Sequence, residues 1–178
     1  MTTRDIDYEI DPSLSSTEPK KLSRMIRRYI RAVLDEWEVE LSKRSPEEQQ
    51  TVSGRQAASL YNESSDHLVP LLKQLKKNTV EEDVMYKIGD VLQYVQKREY
   101  RTANEAYLRL SIGNSAWPIG VDMVGIHQRT ERHKIESNKA VSALNDEVTR
   151  KWVHALKRII TWMQSIYPPD NAAMIATS

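Results

Sequence analysis

Apolar side chains recur every three or four residues from Leu22 to Leu41, at Leu22, Met25, Ile26, Tyr29, Ile30, Val33, Leu34, Trp37 and Leu41. That spacing gathers them on one side of a helix beginning near Lys20 and predicts a buried face held for about five turns. Ser45-Pro46-Glu47-Glu48 joins a hydroxyl cap, a first-turn proline and an acid at the third helical position, so Pro46 opens a second helix. This helix runs through Ala57, Leu60 and Tyr61 towards His67, with a kink or split expected at Pro70 before Leu71, Leu72 and Leu75. Thr79-Val80-Glu81-Glu82 and Thr102-Ala103-Asn104-Glu105 repeat the capping pattern. They predict a helix carrying Val84, Ile88, Val91, Leu92 and Val95, and another carrying Ala106, Tyr107 and Leu110. A last helix holds Leu144, Val148, Trp152, Leu156, Ile159, Ile160, Met163 and Ile166, and stops at Pro168-Pro169. With no period-two alternation and no hairpin signal, the expected fold is all-α: a compact bundle of about five helices.

The pattern breaks once, between the last two helices. The segment Ser111 to His127 holds three of the chain's five glycines, one of its four tryptophans and a run of aliphatic residues. Gly113, Pro118, Gly120 and Gly125 are expected to interrupt a helix every few residues, giving one long loop over about 112–136. Its apolar content sets it apart from a solvated linker, and a loop of that length is usually functional or disordered. The expected organisation is therefore a flexible or extended leader at 1–19, a helical domain at 20–170 and a tail at 171–178.

Composition narrows the chemistry. The chain has 178 residues, enough for one domain with its own core, and no cysteine, which removes disulfides, thiol catalysis and cysteine-based zinc sites. No run approaches the 18 or so consecutive apolar residues of a membrane span, and no membrane partner is expected. Net charge is +1, so attraction to nucleic acid must come from local patches. Two such patches are expected. Six of the eight charges from Lys20 to Glu36 are positive, and Arg24, Arg27, Arg28 and Arg31 share the side opposite the apolar stripe. On the last helix Arg150, Lys151, Lys157 and Arg158 do the same, with His154. Each set suits either a solvated face or a docking surface for phosphates or acidic protein.

The loop's chemical readings mostly fail on spacing. Gly120 and Gly125 have the separation of a phosphate loop, but Ile126-His127 stands where Lys-Ser/Thr is needed. His127 and His133, with Asp122 and Glu131, lack the spacing of metal ligands, and no metal or other cofactor is expected. Ser111 or Ser115 with His127 and Asp122 lacks the strand-to-helix turn that presents a nucleophile. No catalytic residue is assigned and no enzymatic activity is expected. What remains is interaction: Trp117-Pro118 can lie flat on a surface while Ile119, Val121, Met123, Val124 and Ile126 fill pockets, beside a basic tail of Arg129, Arg132, His133 and Lys134.

The run Leu110 to Val121 (Leu-Ser-Ile-Gly-Asn-Ser-Ala-Trp-Pro-Ile-Gly-Val), followed by Val124-Gly125-Ile126-His127, closely resembles the signature loop of the pre-mRNA-splicing factor 18 family. Gln96-Lys97-Arg98-Glu99-Tyr100 with Ala103 to Leu108, Leu71 to Lys77, and Asn145-Asp146-Glu147 with Arg150-Lys151-Trp152 and Leu156 to Thr161 resemble that family's helices. The resemblance covers about residues 20–168. It implies a bundle of about five helices and a nuclear, non-catalytic role in the spliceosome, promoting the second step, exon ligation. It also implies association with the U5 small nuclear ribonucleoprotein and with a zinc-knuckle second-step splicing factor through a helical face. The loop would reach a large spliceosomal scaffold protein, near the pre-mRNA, through Gly113, Asn114, Trp117, Pro118, Ile119, Gly120, Val121, Gly125, Ile126, His127 and Arg129. Asp122 stands where the family more often has a small neutral residue. The alternative is a helical module that binds RNA or assembles ribonucleoprotein through its basic faces.

Overall fold

The computed structural model describes residues 1–116 and 147–177. Helices α1 (Leu14–Thr17), α2 (Pro19–Ser42), α3 (Pro46–Gln50), α4 (Val52–Lys77), α5 (Glu82–Gln96), α6 (Tyr100–Ala116) and α7 (Glu147–Ile166) follow in order. Short 3-10 turns lie at Thr3–Asp5 and Ala172–Met174, and the described residues contain no strand. Five long helices thus form an all-α bundle, as the hydrophobic periodicity requires.

The apolar stripe of α2 goes inward: Leu22, Ile26, Tyr29, Ile30 and Val33 are buried against α4 and α5. Helix α4 runs antiparallel to α2, since Ser23 Oγ donates to the Leu75 carbonyl at 2.6 Å while Tyr61 OH donates to Glu38 at 3.3 Å. Helix α7 packs between α4 and α6 and buries Trp152, Leu156, Ile159, Ile160 and Met163. Each such side chain removed from water contributes about 1.5–3 kcal/mol, so the last helix in the chain supplies much of the core.

At the corner after α2 the cap stands where its motif predicts, but the helix expected to run from Pro46 towards His67 is two helices, divided at Thr51. Ser45 Oγ accepts from Glu48 N–H at 3.2 Å, with Pro46 in the first turn. The helix it opens ends after one turn, and Thr51 Oγ1 caps α4 by accepting from Gly54 N–H at 2.9 Å.

Three further local expectations are corrected. Pro70 does not split α4, which is continuous across it. A proline forfeits about 3 kcal/mol inside a helix, whereas burial of Leu68, Leu71 and Leu75 supplies roughly 5–9 kcal/mol. Thr79 does not cap α5. The left-handed Asn78 (φ 57°) closes α4 with Thr79 N–H on the Gln74 carbonyl at 3.0 Å, and Glu81 becomes the residue before α5. In the same way Arg98 (φ 57°) ends α5, with Glu99 N–H on Tyr94 O at 2.9 Å. Helix α6 therefore starts at Tyr100 and takes Thr102 into its interior.

Residues 1–18 lie against the bundle. Tyr8 OH donates to the Met25 carbonyl at 2.8 Å, and Thr3 donates through both N–H and Oγ1 to Glu36 at 2.9 Å. The Gln96 amide then brackets Tyr8 to Ile10: it accepts from Ile10 N–H at 2.8 Å and donates to Tyr8 O at 3.1 Å. Ile10 is buried as a result. Gln164 holds the C-terminal segment by the same device, accepting from Ala176 N–H at 2.8 Å and donating to its carbonyl at 3.3 Å. Glu36 also accepts from Tyr167 OH, so one buried carboxylate ties together both ends of the described chain.

Candidate functional site

Helix α6 carries the first part of the glycine-punctuated segment. Gly113 and Asn114, expected in the loop, lie within this helix, which continues to Ala116. A glycine costs a helix only about 1 kcal/mol relative to alanine, whereas a proline in a helix interior costs about 3 kcal/mol. Gly113 alone does not stop α6. Trp117, Pro118, Ile119, Gly120, Val121, Gly125, Ile126, His127 and Arg129 lie outside the described residues.

The geometry that brackets this segment is well defined. Lys157 Nζ on α7 donates to Asn104 Oδ1 on α6 at 2.6 Å, and Tyr100 OH donates to the Met163 and Tyr167 carbonyls at 3.2 and 2.6 Å. These pairs make α6 and α7 antiparallel, which brings the end of α6 and the start of α7 level at one end of the bundle. Leu108 and Ile112 on α6 and Val148 on α7 are exposed apolar residues towards that end. The two helix ends thus share a partly apolar surface.

The two basic faces fare differently. On α2, Arg24, Arg28 and Arg31 are exposed and Arg27 is half-buried, so that face is assembled as the periodicity indicates. The face expected on α7 divides. Arg150 and Lys151 are exposed, with Lys151 near Glu147 at 3.4 Å. Lys157 turns to Asn104, and Arg158 turns to Ser64 Oγ and Glu63, both at 3.4 Å. These two cations brace α7 against α6 and α4. Burial holds the Lys157 amine below its usual range, and burial, aided by the Arg158 charge, lowers the His154 imidazole.

No cluster of three His, Asp or Glu side chains suited to a metal occurs among the described residues. No described helix is long and apolar enough to cross a membrane. One concave surface escaped the sequence reading. Trp37 and Trp162 stack at 5.5 Å between centroids, with Tyr61 edge-on to Trp37, and line a groove of about 420 Å³ with Leu41, Leu60 and Ile166. Its signal in the sequence was weak because the three rings are far apart along the chain and meet only when α2, α4 and α7 pack.

Comparison with known proteins bears on the bundle as a whole. Residues 27–169 match the model of the Prp18 domain. Pre-mRNA-splicing factor 18 of Danio rerio is 39% identical over 151 residues, 85% of this chain and 44% of that protein. The protein of the same name from Rattus norvegicus is 37% identical over 163 residues, 92% of this chain and 48% of that one. The one from Saccharomyces cerevisiae is 38% identical over 161 residues, 88% and 59% respectively. The chain spans about half the length of the curated relatives it matches.

Proposed function

Because the chain belongs to the family of the Prp18 domain, we propose that it is a nuclear, non-catalytic factor of the spliceosome that promotes exon ligation, the second step of pre-mRNA splicing. The observation that carries this reading is the match itself, which takes in most of α2 and all of α4, α5, α6 and α7. The level ends of α6 and α7 support it, since they frame the stretch that resembles the family's signature loop. The chemistry of ligation belongs to other components. This protein acts by positioning, which lowers a barrier by fixing reactants in a near-attack arrangement.

In this reading the residues from Trp117 to Arg129 meet a large scaffold protein near the pre-mRNA, so that the 3′ splice site and exons are held for reaction. The helical body docks on a zinc-knuckle second-step factor and associates with the U5 small nuclear ribonucleoprotein. The rigid bundle sets the direction of approach, and the segment makes the contact.

The test is a depletion-rescue splicing reaction that scores the two steps separately. Intact protein restores exon ligation without altering the first step. A variant lacking residues 117–129 keeps the helical content and melting temperature of the intact chain but does not restore ligation. Equal loss of both steps, or full rescue by the deleted variant, would refute the assignment.

A further inference from the structure

Lys20, Arg24, Arg27 and Arg31 form a row of charge that the fold leaves unanswered. At about 100° and 1.5 Å per residue, the four lie within about 60° of one another around α2 and extend over roughly 16 Å of its length. Lys20, Arg24 and Arg31 are exposed, while Arg27 is half-buried and its Nε has no hydrogen-bond partner among the described residues. Several cations elsewhere on the bundle are met by acids: Lys43 by Glu40, Lys87 by Asp83, Arg109 by Asp90 and Arg158 by Glu63. None of the four cations of the row is in an ion pair among the described residues, although their neighbour Lys21 lies 3.9 Å from Glu18.

The row also has borders. The antiparallel register of α2 and α4 places the last turn of α4, with its exposed Lys76, level with Lys20 and Arg24, extending the positive surface at that end. At the other end Asp35 and Glu38 close it. On the flank away from α4 lies the docked leader, bonded to Met25 and Glu36 and bearing the exposed acids Asp5, Asp7 and Glu9. What remains is a narrow track, the row itself with exposed Arg28 beside it on the leader side.

We propose that this track binds the phosphate backbone of single-stranded RNA. Three of its four cations are arginines, whose planar fork matches a phosphate better than the point charge of lysine does. A single strand offers a linear row of charges, one per nucleotide, that fits a single row of guanidinium groups. A duplex would carry its second strand over the acidic leader. Among the described residues the row presents only cations, which meet phosphates rather than base edges, so binding is independent of sequence. This binding is separable from the splicing role proposed above, because it reads the charge of α2 and not the segment after α6.

The test is fluorescence anisotropy of a labelled 20-nucleotide oligouridine titrated with the full chain. With three or four phosphates neutralised, the slope of log affinity against log salt is about −2 to −3, and affinity falls about 20- to 50-fold between 50 and 200 mM salt. Arg24→Glu/Arg31→Glu weakens binding at least about 10-fold at 50 mM salt and flattens that slope, while its melting temperature stays near wild type because both side chains are exposed. Arg24→Lys/Arg31→Lys retains most of the affinity. The control Lys97→Glu/Arg101→Glu, off the track, changes it less than about twofold. Absence of saturable binding at 50 mM salt would overturn the proposal, as would an equal loss in the control. Displacement of the RNA by polyglutamate at matched charge concentration would also overturn it, assigning the face to an acidic protein. A splicing-competent Arg24→Glu/Arg31→Glu variant that has lost RNA binding would leave the family reading intact.

Discussion

Substitution at Gln96 tests whether a single side-chain amide holds the leader to the bundle. Its Oε1 accepts from Ile10 N–H at 2.8 Å and its Nε2 donates to Tyr8 O at 3.1 Å, so it imitates the paired bonds of a neighbouring strand. Removing both bonds in Gln96→Ala loses about 1–1.5 kcal/mol for each, or roughly 2–3 kcal/mol. In a domain of this size that lowers the melting temperature by roughly 4–12 °C. Gln96→Glu is the sharper variant. A carboxylate still accepts from Ile10 N–H, but its second oxygen faces the Tyr8 carbonyl, two acceptors with no proton between them. That contact raises the new carboxyl's pKa in the folded state, so this variant is least stable at neutral pH and regains stability as the pH falls through its carboxyl range, when a proton restores the donor. Amide hydrogen exchange at Ile10 gives the local readout, with denaturant melts at pH 7 and pH 4 as the global one. If Gln96→Glu matches wild type at pH 7, or Gln96→Ala leaves Ile10 exchange unchanged, the bracket does not hold the leader.

Three further outcomes follow from the packing. A β-carbon on Gly54 would lie 2.0 Å from the Glu48 carbonyl oxygen, so Gly54→Ala costs roughly 1–3 kcal/mol in a denaturant melt despite alanine's higher helix propensity. Glu36→Ala leaves Thr3 and Tyr167 without their shared acceptor and destabilises by roughly 2–4 kcal/mol in the same melt, while Glu36→Gln recovers part of the loss. Burial pushes the Tyr100 phenol up to about 12 and raises that of Tyr29 as well. The unfolded chain loses these protons near pH 10 while the folded chain keeps them, so stability is full below pH 10 and declines as the pH rises towards 12. For Tyr100 alone that decline amounts to about 3 kcal/mol, and phenolate absorbance that rises in step with unfolding is the check.

The helices were legible because their buried faces repeat at helical spacing over many turns, and no packing arrangement could hide that pattern in α2 or α7. Caps were legible only where nothing earlier in the chain competed. Ser45 follows a plain turn and caps as its motif suggests, whereas Thr79 and Thr102 follow left-handed helix ends that had already set the direction of the chain. Ile10 gave no periodic signal, since a segment held by Gln96 from 86 residues away needs none. The two basic faces looked alike on a helical wheel. What separated them was Glu63 and Asn104, supplied by α4 and α6, and a wheel contains no neighbours. Gly113 does not break α6 because a glycine's cost in a helix is modest and one residue's cost is easily outweighed. The residues from Trp117 to Arg129 drew attention through their composition alone, and their family resemblance came from the order of residues and owed nothing to periodicity.

The place of α7 in the chain has a consequence for synthesis. Helices α2 to α6 leave the ribosome with the groove meant for Trp152, Leu156 and Ile159 still open, and the helix that fills it is completed about 50 residues after α6 ends. At cellular elongation rates that interval is about 3–10 s, long compared with the collapse of a chain this size. During it the nascent chain exposes apolar surface that, among the described helices, α7 covers. A ribosome stalled within that interval therefore carries a ready client for a holding chaperone.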